Sequence, residues 1–111
     1  MRNKSRVKLK EWWGGYIRSA TAPGNLKKQR RIIEQMAKKM GVNLKIYDEG
    51  GGISGLSPSK FKKRKKIFKD IRGGRVKGLF VSDPSRFSRD PIDFVRALKT
   101  FKKYRICVCT P

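Results

Sequence analysis

The sequence predicts a single α/β domain with a mostly parallel sheet of about four to five strands and helices on both faces. The chain has 111 residues, which suits one domain with one hydrophobic core. Short β-branched or aromatic runs alternate with helical patterns in the order βαβαβαβ. This alternation is typical of parallel strands joined by right-handed helical crossovers.

Seven elements follow from the spacing of the apolar residues. The strands carry aromatic, β-branched or alternating residues. The helices carry apolar residues three and four positions apart, with lysine and arginine on the other side. In order, they are strand 12–20, helix 26–40, strand 42–47, helix 60–72, strand 76–81, helix 92–104 and strand 105–110.

Turn and capping residues mark the helix ends. Asn25 can cap the first helix, after the break at residues 22–24, and Gly41 is its natural stop. Asp90 and Pro91 suit the start of the last helix. The residues of the last helix that we expect to face the core are Phe94, Val95, Leu98 and Phe101.

The charge balance points to an anionic partner. Thirty Lys and Arg against eight Asp and Glu give a formal net charge of +22. Because so much like charge opposes a compact state, nucleic acid is the leading class of expected partner. A membrane span is not expected, since no run of about 18 apolar residues occurs. The lack of histidine excludes imidazole catalysis and histidine metal sites.

Two short segments are harder to interpret. Residues 1–11 form a basic N-terminal arm, either frayed or in contact with DNA, ahead of a domain at 12–111. Cys107 and Cys109 share one face of the last strand, which is poor geometry for a disulfide. We interpret them as small buried hydrophobic residues of a cytoplasmic protein, and predict no metal site.

Polar segments follow three of the predicted strands. They begin at Arg18, at Asp48 and at Ser82. Because parallel strands present their C-terminal ends on one edge, these segments are expected to converge. Guanidiniums there suit a phosphate, since each is a planar fork of donors that keeps its charge. Arginine together with hydroxyls points to phosphoryl transfer.

Four blocks of residues resemble the catalytic domain of serine recombinases, the group of resolvases, invertases and large serine integrases. The resemblance covers about residues 14–110, and its blocks are Tyr16-Ile17-Arg18 with Thr21, Leu26 with Gln29, Tyr47-Asp48 with Ser54-Gly55, and Ser85 to Asp90. It implies a resolvase-like three-layer α/β/α fold and site-specific DNA recombination through a 5′-phosphoserine link. It also implies no cofactor, and homodimers that assemble into tetramers in the full-length protein.

The resemblance assigns roles to individual residues. Arg18, Arg86 and Arg89 would bind the scissile phosphate. The supporting active-site residues would be Gln29, Asp48 and Ser54. Separately, the dense basic run predicts DNA contacts at Lys60, Lys62, Lys63 and Arg64. The family's long dimerisation helix and DNA-binding domain do not occur before Pro111, so the chain is expected to be a fragment.

The family's nucleophile position falls on Ala20, which has no hydroxyl. Three explanations are open: a deliberate serine-to-alanine change, a natural relative that binds or assembles on DNA without cleaving it, or attack by Ser19. In a regular strand adjacent side chains point to opposite faces. Attack by Ser19 therefore requires the strand to have ended or to bulge.

Overall fold

A computed structural model describes residues 10–21 and 25–111. Most of the basic arm and the break at residues 22–24 lie outside this range. The elements are β1 (Trp12–Ile17), α1 (Leu26–Met40), β2 (Leu44–Asp48), a 3₁₀ turn (Pro58–Lys60), α2 (Lys62–Arg72), β3 (Val76–Phe80), α3 (Pro84–Phe87), α4 (Pro91–Lys103) and β4 (Cys107–Cys109). The short α3 and the 3₁₀ turn were not predicted.

The sheet has four parallel strands in the order β2-β1-β3-β4, which confirms the predicted fold class. From β1 the chain crosses to β2 on one side, and β3 and β4 are added on the other side. The strand order therefore reverses between β1 and β3. In open α/β sheets, ligands bind beyond the C-terminal ends of the strands at such a point.

Two cores lie on opposite faces of the sheet. On one face, Ile33 of α1 packs with Ile17. On the other face, Ile67 of α2 and Phe101 of α4 belong to the same cluster as Tyr16. Because successive side chains of a strand point to opposite faces, β1 supplies both cores. The result is the expected three-layer arrangement.

Two strand glycines allow close approach between layers. A Cβ on Gly15 would lie 2.6 Å from Cγ2 of Ile33, and one on Gly78 would lie 2.3 Å from the Trp13 ring. Trp13 in turn stacks on Phe80, with 5.0 Å between ring centroids. The glycines therefore let α1 and an indole lie directly on the sheet.

The helix ends agree with the capping signals except at Asn25. The Asp90 carboxylate accepts hydrogen bonds from the backbone N–H groups of Ile92 (3.0 Å) and Asp93 (3.2 Å), so it caps α4. Gly41 ends α1 with φ 68°. Asn25 precedes α1 but makes no side-chain capping bond. Among the described residues, no helix is long and apolar enough to cross a membrane.

Two burial predictions are wrong. Val95 and Leu98 of α4 are 51% and 45% exposed, because the helix packs on the sheet through Ala97 and Phe101. Cys107 is exposed and Cys109 is half-buried. The cysteines are accessible because β4 is the edge strand of the sheet. They are therefore not core residues.

Candidate functional site

Arg18 joins three segments at the C-terminal edge of the sheet. It follows β1 directly and is 1% exposed. Its Nε donates to the carbonyl of Arg86 (2.9 Å), Nη1 to that of Ile53 (2.7 Å) and Nη2 to that of Ser85 (2.5 Å). These bonds use three of the five guanidinium N–H groups. The polar segments after β1, β2 and β3 thus converge, as predicted.

Gln29 fixes the backbone of Arg18. It lies on the inner face of α1 and is 2% exposed. Its Oε1 accepts a hydrogen bond from the Arg18 N–H (3.2 Å), and its Nε2 donates to the Arg18 carbonyl (3.0 Å). Gln29 therefore holds the main chain at Arg18, and its supporting role in an active site stays a prediction.

Arg86 and Arg89 follow β3, at the turn formed by α3. Asp83 caps α3 by accepting from the Ser85 N–H at 2.8 Å. Nε of the half-buried Arg86 is itself buried and has no hydrogen-bond partner among the described residues. Arg89 is exposed, and its backbone N–H donates to the carbonyl of Gly55 (2.8 Å).

The three arginines form a cationic cluster without an ion-pair partner among the described residues. Within residues 10–21 and 25–111, none of them makes an ion pair with a carboxylate. Burial lowers the pKa of Arg18, and the nearby charges of Arg86 and Arg89 act in the same direction. An arginine nevertheless keeps its charge at neutral pH. The site therefore holds excess positive charge that an anion would relieve.

Gly55 passes between two of these arginines. A Cβ at this position would lie 2.6 Å from Cγ of Arg89 and 2.7 Å from Nη2 of Arg18. Any side chain would displace one or both of them. The glycine-rich loop after β2 is thus part of the site, and it is packed against the arginines at this point.

Ala20, on which the family's nucleophile position is predicted to fall, lies just past the end of β1. The strand ends at Ile17, so strict alternation no longer applies at Ser19 and Ala20. Ser19 is 2% exposed, and its N–H donates to the Gly50 carbonyl at 3.1 Å. Its Oγ lies 3.3 Å from Oγ1 of Thr21. Ala20 is exposed, so the side chain presented here has no hydroxyl.

Asp48 and Ser54 shape the loop after β2. Oδ1 of Asp48 accepts from the Gly50 N–H at 2.9 Å, and Oδ2 lies 3.8 Å from a guanidinium nitrogen of Arg30. Oγ of Ser54 accepts from the Leu56 N–H at 3.1 Å. Both residues are exposed. Their supporting roles in the active site stay predictions.

The sequence reasoning missed Glu49. Its carboxylate accepts from the Tyr16 hydroxyl (2.8 Å) and from the backbone N–H groups of Lys63 (3.0 Å) and Arg64 (3.1 Å). It therefore caps α2 from outside the helix and ties α2 to β1. The sequence contains a hint of this role. Helix α2 has no acidic residue in its first turn and no side-chain cap of its own, so a carboxylate from elsewhere in the chain is needed at its N-terminus.

The predicted DNA contacts separate into two groups. Lys60, Lys62 and Lys63 are exposed and line an open groove of about 480 Å³ beside the loop after β2. Arg64 is 7% exposed, and its guanidinium binds both carboxylate oxygens of Asp93, at 2.5 and 2.7 Å. Arg64 therefore does not belong to the lysine surface.

Solved structures with the same fold are catalytic domains of recombinases. The catalytic domain of ISC1926 TnpA, an IS607-like serine recombinase, is 19% identical with a TM-score of 0.77, covering 87% of this chain and 67% of that chain. The N-terminal catalytic domain of TP901-1 integrase is 21% identical with a TM-score of 0.74, covering 87% and 75%. At this identity the likeness shows the fold.

A transposon protein is similar as well. The first ORF in transposon ISC1904 from Sulfolobus solfataricus P2 is 21% identical with a TM-score of 0.72, covering 89% of this chain and 66% of that chain. The chain thus spans about two thirds of the length of the TnpA domain and of this transposon protein. No curated protein is significantly similar to the chain in sequence.

The family is shown by a match over most of the chain. The family model described as "Resolvase, N terminal domain" matches residues 14–111. Fold and family together support site-specific recombination in general. The chain therefore belongs to the resolvase family, as the four blocks of residues predicted.

Proposed function

We propose that this domain holds a backbone phosphate of double-stranded DNA between the ends of β1 and β3. In this proposal Arg86 and Arg89 contact the phosphate. Arg18, which the resemblance had also assigned to the phosphate, is buried and instead holds the carbonyls that position their turn. The full-length protein would act as a homodimer that assembles into a tetramer for site-specific recombination. With alanine at position 20, this chain binds DNA without cleaving it through that position.

The observation that carries the proposal is the cationic cluster without a carboxylate. A buried donor with no partner is costly, because it loses its bonds to water without replacement. Nε of Arg86 is such a donor among the described residues. A phosphate offers several acceptor oxygens and a charge that matches the guanidinium fork. It would satisfy the donor and neutralise the cluster together.

The exposed lysines give the DNA a path beyond this phosphate. Lys60, Lys62 and Lys63 line the groove that also touches Asp48 and Ile53. Ile53 is bonded to Arg18, so this groove runs up to the arginine cluster. Such contacts track the backbone and position the duplex without reading its sequence.

The chemistry at position 20 follows from the missing hydroxyl. A serine there would attack the phosphorus, forming an Oγ–P bond while the bond to the DNA 3′ oxygen breaks. Overall the serine proton would be transferred, through solvent, to the departing 3′ oxygen, which becomes a hydroxyl, and the arginines would balance the charge that develops on the phosphate. Alanine removes the nucleophile and leaves the phosphate contacts in place, which favours binding without cleavage.

Attack by Ser19 is the less favoured alternative. Its side chain is 2% exposed. Its N–H is bonded to Gly50, and its carbonyl accepts from the Ile53 N–H at 3.1 Å. A shift that presents its hydroxyl would break these bonds to the loop. The inward position of Ser19 therefore supports a chain that does not cleave.

The first experiment measures binding to a short duplex by fluorescence anisotropy over a range of salt concentrations. Each neutralised phosphate contributes about −0.9 to the slope of log K against log salt. We expect a slope of about −3.6, since the two arginines are proposed to share one phosphate and the three lysines to contact three more. A slope near zero would contradict the proposal.

The second experiment looks for a covalent protein–DNA adduct under denaturing conditions. The unsubstituted chain should give none, and Ala20→Ser should give one that persists when Ser19→Ala is added. An adduct of the unsubstituted chain that Ser19→Ala abolishes would establish the alternative. If Ala20→Ser binds DNA without any adduct, position 20 is not the point of attack.

A further inference from the structure

Helices α2 and α4 enclose a groove that the proposed function does not use. Both helices pack on the same face of the sheet. The groove has a volume of about 280 Å³, and each residue that lines it belongs to one of these two helices. The lining residues are spaced three and four positions apart along each helix, and such residues lie on one side of a helix. The groove is therefore built from two facing rows of side chains.

The apolar surface of the groove is formed by Phe68 and Ala97. Ala97 is 4% exposed, and Phe68 is half-buried. The Phe68 ring stacks on Phe101, with 5.8 Å between ring centroids, and meets Phe87 edge-on at 6.0 Å. These contacts hold the ring in place. The groove therefore offers a preformed apolar floor.

The rim of the groove is cationic. Lys65, Arg72 and Arg96 are exposed, and none of them makes an ion pair with a carboxylate in the part of the chain that the structure describes. The one carboxylate that lines the groove, that of Asp93, is already paired with Arg64. Four cations and one carboxylate give the lining a net charge of +3. An acidic partner would neutralise this charge.

An apolar floor inside a charged rim favours a protein partner over DNA. In protein interfaces one large side chain commonly anchors the partner in a pocket, and polar contacts surround it. A duplex would place phosphates and sugars here, and these would leave the apolar floor without a partner. The volume lies below the roughly 300–1,000 Å³ of pockets that enclose small-molecule ligands. The groove therefore suits a single anchoring side chain.

We propose that the groove between α2 and α4 binds a short acidic protein segment, which places one phenylalanine or leucine side chain against Phe68 and Ala97. Carboxylates of the segment lie against Lys65, Arg72 and Arg96 at the rim. The surface is independent of the DNA-binding proposal, because it uses none of the arginines or lysines invoked there. Either proposal can therefore fail without the other.

The test uses two fluorescein-labelled synthetic peptides, each with three glutamates on either side of a central residue. The central residue is phenylalanine in one peptide and glycine in the other, so both carry the same charge. Fluorescence anisotropy measures binding to the full chain at about 0.15 M salt, where distant charges are screened. We expect the phenylalanine peptide to bind about tenfold more tightly, because its ring is partly buried in the groove.

Arg72→Ala with Arg96→Ala should weaken binding of the phenylalanine peptide about fivefold, since each exposed charge pair contributes modestly. Both residues are exposed, and the Tm checks that the variant is folded. Lys38→Ala with Lys39→Ala is the matched control. It removes the same charge from an exposed end of α1 and should change the affinity less than about twofold.

Equal affinity for the two peptides would overturn the proposal, as would equal losses in the two double variants. Arg86→Ala with Arg89→Ala should lower peptide affinity no more than the lysine control does. A larger loss would place the peptide at the arginine cluster and would also overturn the proposal. If Arg72→Ala with Arg96→Ala weakens duplex binding tenfold and leaves peptide binding unchanged, the groove is a DNA surface and the protein partner is wrong.

Discussion

Arg18 and Arg64 are both buried arginines, but they have opposite kinds of partners. Arg18 is 1% exposed and Arg64 is 7% exposed. Arg64 binds the carboxylate of Asp93 through two hydrogen bonds. Arg18 binds backbone carbonyls and lies near two further arginines. The comparison separates an arginine that supports the fold from an arginine at the proposed phosphate site.

The charge of Arg64 is compensated by an ion pair and by aromatic rings, although its Nε, like that of Arg86, is buried without a hydrogen-bond partner among the described residues. Its guanidinium also donates to the Phe87 carbonyl at 3.2 Å. Its Cζ lies 4.8, 5.6 and 4.9 Å from the ring centroids of Phe61, Phe68 and Phe87. A carboxylate and three aromatic faces neutralise and enclose the charge. No external anion is needed there.

Arg18 makes no ion pair among the described residues: its Cζ lies 5.5 Å from the Phe61 ring centroid, and the charge of Glu49 favours its charged form without direct pairing. Carbonyl oxygens satisfy its donors but carry only partial charges, and Arg86 and Arg89 add two full positive charges nearby. The difference teaches that burial alone does not identify a functional arginine. The charge of the partner does, and the following predictions test this distinction.

The largest effect is expected from removing the two arginines proposed to contact phosphate. Arg86→Ala with Arg89→Ala should weaken DNA binding by about 3 kcal/mol, roughly 100-fold, because each charged hydrogen bond contributes about 1.5–3 kcal/mol. The free energy of unfolding should stay the same or rise, since repulsion is removed. Fluorescence anisotropy and urea unfolding measure the two quantities.

The matched control for this pair is Lys38→Ala with Lys39→Ala, which removes the same charge from an exposed end of α1. It should lower DNA affinity much less. Equal losses in the two double variants would mean that net charge alone, and no arginine site, accounts for binding.

Asp93→Asn should lower the stability of the fold and leave DNA affinity unchanged, the opposite of the double arginine variant. It leaves Arg64 without its counter-ion and should lower the free energy of unfolding by about 2 kcal/mol, less than for a fully buried pair because Asp93 is 21% exposed. DNA affinity should not change. Glu34→Gln, an exposed carboxylate on α1, should alter stability by less than about 0.5 kcal/mol.

The same pair predicts a pH dependence. The hydrogen bond from Arg64 holds the pKa of Asp93 below its usual value. A carboxylate with a lowered pKa stabilises the fold above its unfolded pKa of about 3.9, and this contribution is lost as the pH falls through the folded value. Asp93→Asn should remove that part of the acid sensitivity. An unchanged acid profile would contradict it.

Gly55→Ala tests the packing between Arg18 and Arg89. The added methyl would displace them and should weaken DNA binding about tenfold, or 1.4 kcal/mol. Gly73→Ala is the control, because a Cβ there meets its nearest atom, the Lys69 carbonyl oxygen, at an ordinary 3.5 Å. A normal affinity for Gly55→Ala would show that the arginine positions tolerate this shift.

The smallest effect is expected at the hydroxyl that Glu49 binds. Tyr16→Phe removes one hydrogen bond and should lower the free energy of unfolding by about 1 kcal/mol. Tyr104→Phe, on a partly exposed residue, should change it by less than half as much. Thermal unfolding measures the Tm of both variants. Similar decreases in Tm would argue that the hydrogen bond from Tyr16 to Glu49 does not link β1 to α2.

Much of this fold could be predicted from apolar spacing and strand topology. Helix α1 has the predicted bounds, 26–40. Its apolar residues at helical spacing, its basic opposite face and the terminating Gly41 all indicate the same helix. The convergence of Arg18 with the turn at Ser85 and Arg86 follows from the parallel sheet. Those inferences use periods of 2 and 3.6 residues, which are encoded locally.

The rest depended on contacts that no local pattern encodes. Arg18 binds main-chain carbonyls, which every residue has, so the sequence could not name its partners. Arg64 lies in a lysine-rich run and was assigned to the surface. A signal was available, because it falls on the helical stripe of Phe61, Ile67 and Ile71, all of which are buried.

The bonds of Arg18 span long stretches of chain, 35 residues to Ile53 and 67 to Ser85. Contacts so distant in sequence form only after the loops between them have closed, and this closure is slow. In a partly folded chain these arginines are scattered, and the proposed phosphate site would not yet exist. If DNA binds there as proposed, its affinity would report completion of folding, and bound DNA would stabilise the completed state by mass action.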